Sequence, residues 1–592
     1  MNRSTDPQPA GEPVAAATAP AGPGRPGAAR PDQPGRVSAG ASVGTEAAAR
    51  RRLRLTPRGV ELLAALGAVL LAAVVSGYRV SVAHTARYPG HADPAFTYGV
   101  AQSIAAGKGP NIDYVWHFLV PGTPLHHYAF DYWLPLPSRL MSRVLHGGGG
   151  LPAALELNVA LIVMMCAGSY ALARALSDVP WVPAVSAAAA LVQPAVSAYA
   201  MQAESAVYLG AFALPAMAAA VYARRWSWLW PVAGAFAGLA AMSRSEGLLL
   251  CVVLGIAALA WREHGRTYLR VGLLLAGYLA TSASYLLSNL SHFGSPLPPA
   301  ATAFPFISSY EDLFAPHVQR TPAALLGGGP IRFFGLRVRL VDGQLAAAFT
   351  AMSPIVSVLV LTLIGVAVWG RYARRPVPLA STQRIGARPA AMTMLRSNWL
   401  VSVGFLLVVF VFDALIVPAV AEGGAIVKVM ITGVPILLVL AVVQLGRLRL
   451  HPVLTALCCL VLAGYPLTSV AFNSRATIRH NNDIGRAAAG LATPLRTEAG
   501  CLGRPVVLMT RQPWEINQAT GVATVALPTG SLAEILEVAR QYGVTDIDNP
   551  AIRLDAATMA GALAADGPFA RSAAFGSRKI YRIRAATTGA RC

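Results

Sequence analysis

The feature that most constrains the fold of this sequence is a series of apolar segments, most of which reach the length needed to cross a membrane. A bilayer hydrocarbon core of roughly 30 Å takes about 20 residues of helix. The chain is 55% hydrophobic and only 13% charged, which is too apolar for a soluble protein. We predict eleven spans, at residues 60–80, 152–174, 181–200, 204–223, 227–243, 246–261, 269–290, 351–370, 398–419, 425–446 and 452–472.

The basic residues predict the orientation of these spans. The formal net charge is +21, and arginines lie at residues 50–58, before the first span, and then after every second span. Because positive residues in short loops stay in the cytoplasm, we place the N-terminus inside and the region after residue 472 outside, in a multi-pass protein of the plasma membrane. This distribution accounts for the positive charge without a nucleic-acid partner.

The chain divides into three predicted regions. Residues 1–50 are rich in Pro, Ala and Gly, so they are predicted to be a disordered cytoplasmic tail. Residues 51–472 hold the spans, a first extracytoplasmic loop at 81–151 and a long outer loop at 291–350. Residues 473–592 are predicted to form a small extracytoplasmic α/β domain. The predicted fold class is thus an α-helical polytopic membrane protein with a C-terminal extracytoplasmic α/β domain.

The predicted C-terminal domain has its own periodic pattern. Strands are predicted at 505–510, 523–527, 544–547 and 579–583, with an amphipathic helix at 531–542. Two of the six cysteines, Cys501 and Cys592, lie in this region, where a disulfide is chemically permitted. Spacing alone does not decide whether it forms.

Ionisable residues gather at the outer ends of the predicted spans. Such residues are costly at membrane depth and are rarely left facing lipid. Cations could bind an anionic substrate, and carboxylates could transfer protons. The sequence therefore predicts a site that opens outward, with candidates at Asp93, Glu204, Arg244, Glu246, His292, Asp413, Glu422 and Lys428.

Short motifs in this chain resemble signatures of the glycosyltransferase-C (GT-C) superfamily. The first extracellular loop of that family is similar to HADPAFTYGVAQSIAAGKGP, residues 91–110, and its next motif is similar to FDYWLPLPSRL, residues 130–140. The outer domain of some bacterial members is similar to TRQPWEINQATGVATVALP, residues 510–528. Later family signatures are similar to MQAES around Glu204, SRSEG around Arg244, NLSHFGSPLPP at 289–299, and Lys428 ahead of Pro435.

The resemblance implies a fold of about eleven transmembrane helices and a reaction. GT-C enzymes move a sugar from a polyprenyl-phosphate donor to an acceptor, here a glycan, glycolipid or protein at the extracytoplasmic face. By this resemblance Asp93 is the catalytic base, Arg244 and Lys428 bind the donor phosphate, and the sugar is transferred with inversion. Supporting or substrate-binding roles fall to Glu204, Glu246, His292 and Tyr132.

Two departures from the family pattern bear on these assignments. The acid occurs in His91-Ala92-Asp93-Pro94 rather than in a paired acidic dipeptide, so a divalent cation is not favoured. Lys428 stands where many relatives have arginine followed by tyrosine. No metal-ligand spacing recurs among the candidate histidines, which are His91, His126, His127 and His292. We therefore assign no metal or cofactor.

Each candidate also has a purely structural interpretation. An aspartate before Pro94 is typical of a helix start, which would explain Asp93. Arg244 and Glu246 could form a structural ion pair in a tight turn. Glu204 could be a charge favoured by the helix dipole at the start of a span. Lys428 could extend its ammonium to the membrane interface, and Asp413 could hydrogen-bond a neighbouring helix.

Residues 134–145 predict an interfacial helix. Arg139 and Arg143 are four residues apart and share a helical face, while leucines mark another. The two arginines could contact the donor phosphate or ordinary lipid headgroups.

Two other functional classes compete with a glycosyltransferase. A polytopic transporter or lipid flippase is the alternative, and it would have inverted repeats and broken helices with polar groups near the midplane. A membrane acyltransferase usually places a histidine deep in the membrane, and none of the predicted spans contains one.

Overall fold

The structure is a computed structural model that describes residues 56–261, 267–318, 320–327, 329–373, 397–415, 425–575 and 578–584. The predicted tail at residues 1–50, the candidate Glu422 and the second outer-domain cysteine, Cys592, lie outside the described residues.

Helices make up most of the described chain, because it is rich in Ala and Leu, which favour helix, and many of the helices begin at a proline. In chain order they are α1 (Pro57–Ala83), α2 (Asp93–Ala105), α3 (Leu136–His146), α4 (Leu151–Leu176), α5 (Val182–Leu191), α6 (Pro194–Ala200), α7 (Ala206–Ala223), α8 (Leu229–Ala241), α9 (Glu246–Ala260), α10 (Thr267–Phe293), α11 (Pro299–Ala303), α12 (Pro322–Leu326), α13 (Pro330–Ala351), α14 (Pro354–Ala373), α15 (Leu400–Leu415), α16 (Ala425–Leu448), α17 (Pro452–Cys459), α18 (Tyr465–Ala489), α19 (Ala492–Leu502), α20 (Pro513–Thr520), α21 (Leu532–Tyr542) and α22 (Ala556–Ala562).

The apolar helices occupy the positions of the predicted spans. Within the described ranges, six helices are long and apolar enough to cross a membrane, and the pair α5 and α6, bent by 56°, makes a seventh. Shorter apolar helices α8, α9, α14 and α15 stand at four further predicted spans. The chain is therefore a multi-pass membrane protein, while the count of eleven spans stays a prediction.

The last predicted span opens a longer helical run. A π-helical turn at Leu460–Gly464 joins α17 to α18, and α18 extends to Ala489, well past residue 472. The run reaches Leu502 and carries the chain into the C-terminal domain.

The C-terminal part of the chain, which is predicted to be a domain, contributes most of a six-stranded sheet, and the loop at residues 81–151 adds one strand. The strands are β1 (Asn111–Ile112), β2 (Tyr114–Val115), β3 (His127–Tyr128), β4 (Val507–Thr510), β5 (Ala523–Ala526), β6 (Asp546–Asp548), β7 (Phe569–Phe575) and β8 (Arg578–Ile583). The large sheet has the order β2-β5-β4-β6-β8-β7, and β1 and β3 form a separate antiparallel pair. Neighbours from β2 to β6 are parallel, whereas β8 is antiparallel to β6 and to β7.

The four predicted strands and the predicted helix are present, with small shifts at their ends. Helix α21 begins after a capping box in which Ser531 and Glu534 satisfy each other's backbone, and it ends at Gly543, whose φ of +65° suits glycine. Sequence patterns missed β2 and β7. Strand β2 has only two residues, and β7 has a run of small residues at 572–574 that gives weak alternation.

The first outer loop and the C-terminal domain share one apolar core. Side chains of the loop, including Phe96, Trp116 and Phe130, pack in one cluster with domain residues such as Trp514 and Phe569. Burying each such side chain stabilises the fold by about 1.5–3 kcal/mol. This core fixes the loop that carries Asp93 against the domain.

The predicted interfacial helix corresponds to α3. Its residues Leu136 and Met141 are buried, while Arg143 is exposed. The Arg139 guanidinium lies 5.8 Å from the centre of the Phe130 ring, which ties the helix to the loop core.

Candidate active site

One cavity of about 1410 Å³ lies where the ends of several apolar helices meet the predicted first outer loop and the C-terminal sheet. Its lining brings together residues far apart in the sequence. Six of the seven predicted site residues line it: Asp93, Tyr132, Glu204, Arg244, Glu246 and Lys428.

Lys428 stands between two carboxylates in this cavity. Its Nζ lies 2.5 Å from Oδ2 of Asp93 and 3.0 Å from Oε2 of Glu204. Glu204 is only 1% exposed. Helix α16 supplies the lysine, the start of α2 supplies Asp93, and the turn before α7 supplies Glu204. Glu204, which is buried, and Asp93, which is partly buried, share one ammonium and form an ion cluster in the cavity wall.

Arg244 forms a second ion pair in the turn between α8 and α9. Its guanidinium lies 2.8 Å from Oε1 of Glu246 and donates to the Ser205 hydroxyl at 3.4 Å. Glu246 opens α9, where a negative charge is favoured by the helix dipole. Asp413 is buried on α15 and interacts electrostatically with this pair. The structural ion pair expected in this turn is therefore present, and it lies in the cavity wall.

Asp93 is the first residue of α2, followed by Pro94 at the position where proline suits a helix start. Its described hydrogen bonds run to Lys428 and Trp133 rather than to amide groups of its own helix. The carboxylate therefore faces the cavity instead of capping the helix.

The backbone before Asp93 is held in an unusual conformation. Ala92 has φ +50° and ψ −110°, a region that residues with a side chain rarely adopt. Its N–H donates to Oε1 of Glu515 at 3.0 Å, and the same oxygen contacts Nδ1 of His91. Glu515 is the third residue of α20, so the C-terminal domain directly holds the chain that presents Asp93.

Charges in the cavity set the pKa of Asp93. Burial raises it, but the charge of Lys428, the hydrogen bond from Lys428 and the charge of Arg244 together hold the pKa below its usual value of 3.8. The carboxylate is thus ionised at neutral pH. Burial raises the pKa of Tyr132, so this phenol keeps its proton and can donate a hydrogen bond into the cavity.

His292 does not join this cluster. It lies near the end of α10, is exposed, and stacks on Tyr128 with ring centres 3.9 Å apart. Its Nδ1 lies 2.8 Å from the backbone oxygen of Ser288. Within the described parts of the chain, no group of three or more His, Cys, Asp and Glu side chains could hold a metal ion. Of the two C-terminal cysteines considered for a disulfide, Cys501 is disulfide-bonded.

Sequence reasoning missed the wall that the C-terminal domain contributes. It comes from the ends of β4 and β6, the start of β8, and a 3₁₀ turn at Tyr310–Phe314. The signal available was the predicted strand at 505–510 followed by polar residues, since polar side chains after parallel strands often bind ligands. The wall includes Thr510, Arg511, Gln512, Trp514, Asp548, Asn549, Arg578 and Glu311.

Comparison with known proteins shows a shared fold. No protein-family profile matches the chain, and no curated protein matches it in sequence. The chain is similar to the crystal structure of ArnT from Cupriavidus metallidurans bound to undecaprenyl phosphate. That match has a TM-score of 0.51 and 15% identity and covers 87% of this chain and 97% of ArnT.

A second solved structure with a similar fold is the Archaeoglobus fulgidus oligosaccharyltransferase tethered with an acceptor peptide. The TM-score is 0.51 at 11% identity, covering 81% of this chain and 69% of that one. These likenesses show that the chain shares the fold of these two membrane proteins, as the motifs led us to expect. At such low identity the likeness concerns architecture, and chemistry has to be argued from the cavity itself.

Proposed function

We propose that the protein is a membrane glycosyltransferase that moves a sugar from a polyprenyl-phosphate donor to an acceptor hydroxyl at the extracytoplasmic face. The observation that carries this proposal is Lys428 held between Asp93 and Glu204 in a large cavity, with Arg244 in the same lining. The cavity offers cations for a phosphate and an ionised carboxylate for a proton. It also lies at the ends of apolar helices, where the phosphate of a lipid carrier would reside at a membrane interface.

The apolar part of the lining suits the lipid portion of such a donor. Leu248 of α9 and Leu286 of α10 line the cavity, and both belong to apolar helices. ArnT, whose fold is similar, was crystallised with undecaprenyl phosphate. A long isoprenoid chain would lie along these helices while its phosphate faced Lys428 and Arg244.

The arrangement supports inversion at the anomeric carbon. Asp93 would accept the proton of the acceptor hydroxyl as its oxygen attacks the carbon from the face opposite the phosphate. The bond from that carbon to the phosphate oxygen breaks, and the polyprenyl phosphate leaves with increased negative charge. Lys428 and Arg244 stabilise this charge more in the transition state than in the ground state.

Lys428 also couples donor binding to the basicity of Asp93. In the described site its ammonium neutralises Asp93 directly. A donor phosphate that takes over this ammonium weakens the hold on Asp93, and the pKa of the carboxyl rises towards that of a better base. Proton transfer would then become favourable only when donor is bound.

The transporter alternative predicted broken helices, and one broken span exists at α5 and α6. The carbonyl of Leu191 at this break accepts a hydrogen bond from Arg79 at 2.9 Å, and the Ser197 hydroxyl accepts one at 2.8 Å. The polar groups freed by the break are therefore used inside the protein, whereas a transport site would present them to its substrate.

Sugar transfer from a panel of labelled polyprenyl-phosphate sugars would test this function. Membranes containing the wild type, Asp93→Asn or Asp113→Asn would be compared at matched protein levels. Asp113 lies in the same loop, is exposed and does not line the cavity, so it controls for the loss of a carboxylate.

The wild type and Asp113→Asn should consume one donor, and Asp93→Asn should be slower by roughly 100-fold or more. Full activity in Asp93→Asn would refute its role as base. Absence of donor consumption by the wild type across the panel would refute the glycosyltransferase and favour the transporter.

A further inference from the structure

The edge of the C-terminal sheet that lines the cavity is a topological switch point. Strand β4 lies between β5 and β6, so the chain moves from β4 to one side and then crosses to the other. In open parallel sheets, ligands bind at the carboxyl ends of the strands where the order reverses in this way. The chain leaves β4 at Arg511 and leaves β6 at Asn549, and both residues line the cavity.

The charged side chains that line this edge form ion pairs with one another. Arg578, at the start of β8, donates to Oδ2 of Asp548 at 2.7 Å and to the Gln512 amide oxygen. Arg511 binds both carboxylate oxygens of Glu311, at 2.9 and 3.4 Å. Glu311 also binds Arg553, which lies outside the cavity lining. Among the side chains that line this edge, two arginines face two carboxylates, so their formal charges balance.

Some hydrogen-bonding capacity at this edge is unused. Oδ1 of Asp548 is buried and has no hydrogen-bond partner among the described residues. Asn549 has φ +48°, and this conformation turns the chain as it leaves β6. A buried acceptor without a partner is costly unless a ligand or water satisfies it.

Aromatic rings adjoin the polar edge. Trp116, which follows β2, and Trp514 of α20 both line the cavity with ring centres 5.5 Å apart. Both are buried, and neither indole N–H has a hydrogen-bond partner within the described part of the chain. Trp116 stacks on Trp133, which hydrogen-bonds Asp93. The aromatic group therefore connects the sheet edge to the proposed base.

We propose that this sheet edge is the acceptor subsite and that its ligand is a neutral saccharide chain. The inference rests on the proposed function, since it assigns the acceptor of that reaction. Sugars present hydroxyl groups that both donate and accept hydrogen bonds, together with apolar C–H faces that pack on aromatic rings. The lining of the edge supplies balanced ion pairs, a buried carboxylate oxygen without a partner among the described residues, and indole rings. This combination matches a neutral glycan better than a phosphate, an acidic glycan or a charged peptide.

A double variant, Gln512→Ala with Asn549→Gly, tests this subsite. It removes two hydrogen-bonding side chains from the edge, and glycine keeps the positive φ at position 549 without strain. The matched control is Gln541→Ala, which removes an exposed amide side chain of α21 outside the cavity lining. The full chain in nanodiscs would be assayed with neutral oligosaccharides of two to six sugars, with acidic oligosaccharides and a peptide as comparison acceptors.

The acceptor KM of the double variant should rise by roughly 10-fold or more, the loss expected for two hydrogen bonds. Its donor KM should change much less, and Gln541→Ala should change neither value. Trp514→Phe, which keeps a ring and loses the indole N–H, should raise the acceptor KM by about threefold to tenfold.

Three results would overturn the subsite. They are an unchanged acceptor KM in the double variant, an equal rise in the donor KM, and transfer only to peptide or acidic acceptors. Direct saccharide binding, measured by saturation-transfer NMR, separates this inference from the proposed function. If the wild type consumes no donor yet binds neutral oligosaccharides in a manner abolished by the double variant, the subsite stands and the transferase fails. If donor is consumed and neutral saccharides neither bind nor accept, the subsite fails alone.

Discussion

The contact between Glu515 and the backbone before Asp93 gives the sharpest test of how the site is assembled. Glu515 is 2% exposed, and one of its oxygens accepts from the N–H of Ala92 and contacts His91. A residue with a side chain in the φ region of Ala92 costs about 1–3 kcal/mol. A hydrogen bond to a charged group contributes about 1.5–3 kcal/mol. The two magnitudes are similar, so the carboxylate is what keeps Ala92 in this conformation.

Removing the carboxylate should therefore let the backbone relax and move Asp93. In Glu515→Ala we expect kcat to fall by roughly 10 to 100-fold, because a displacement of about 1 Å at a reacting group costs on the order of 100-fold. Glu515→Gln keeps an acceptor oxygen for the Ala92 N–H, so its loss should be smaller. The donor KM should change little, because Arg244 and Lys428 do not contact Glu515 in the described hydrogen bonds and ion pairs.

A rescue variant distinguishes positioning from general damage. Glycine adopts positive φ without strain, so Ala92→Gly should be close to wild type alone and should restore part of kcat in Glu515→Ala. Glu537→Ala, an exposed glutamate change on α21, is the matched control. Sugar transfer would be measured at equal amounts of folded protein. Wild-type kcat in Glu515→Ala, or no recovery on adding Ala92→Gly, would refute the argument.

Three further predictions concern charge and burial. Lys428→Met removes the cation that opposes the effect of burial on Asp93, so the pKa of Asp93 should rise. Because the base works ionised, the acid limb of residual kcat/KM should then move to higher pH, and an unshifted profile would contradict this. Arg79→Met leaves the carbonyl at the α5–α6 break without its buried donor and should lower the free energy of unfolding by about 3 kcal/mol, seen as a lower Tm in detergent. Burial raises the pKa of Asp546, in strand β6, from 3.8 to about 6, so the folded state holds its proton more tightly than the unfolded state and stability should fall as pH rises between these values. Asp546→Asn should be more stable than wild type by about 2–3 kcal/mol at pH 7, with the difference disappearing near pH 4; a difference independent of pH would be evidence against this titration.

The sequence predicted the parts of the molecule that depend on regular patterns. Apolar segments identified the helices, and alternation identified four strands of the outer domain. The alternating basic loops put Asp93, Glu204, Arg244 and Lys428 on one side of the membrane, and these four residues line one cavity. The predicted side of the membrane was enough to group these residues, because it limits where charged groups can lie before any packing is known.

The remaining features depend on non-local packing that no local pattern records. His292 lies at the same end of its predicted span as the other candidates, but its imidazole ring stacks on Tyr128 outside the cavity lining. Strand β2 forms only because a two-residue segment of the first loop pairs with the otherwise free edge of β5. The conformation of Ala92 has no sequence signal, since glycine would be the residue expected at positive φ.

The pairing of β2 with β5 has a consequence for biosynthesis. Tyr114 is opposite Thr524 in this register. A strand from the first fifth of the chain therefore cannot pair until the last fifth has been synthesised. A membrane protein is inserted from its N-terminus onwards, and contacts this distant in sequence form late. The spans that would hold the lipid donor can thus fold before the loop carrying Asp93 is fixed in place. A partly synthesised chain would then bind the donor proposed above without hydrolysing it, because Asp93 is not yet in position. Activity would begin only when the C-terminal strands pair with the first loop.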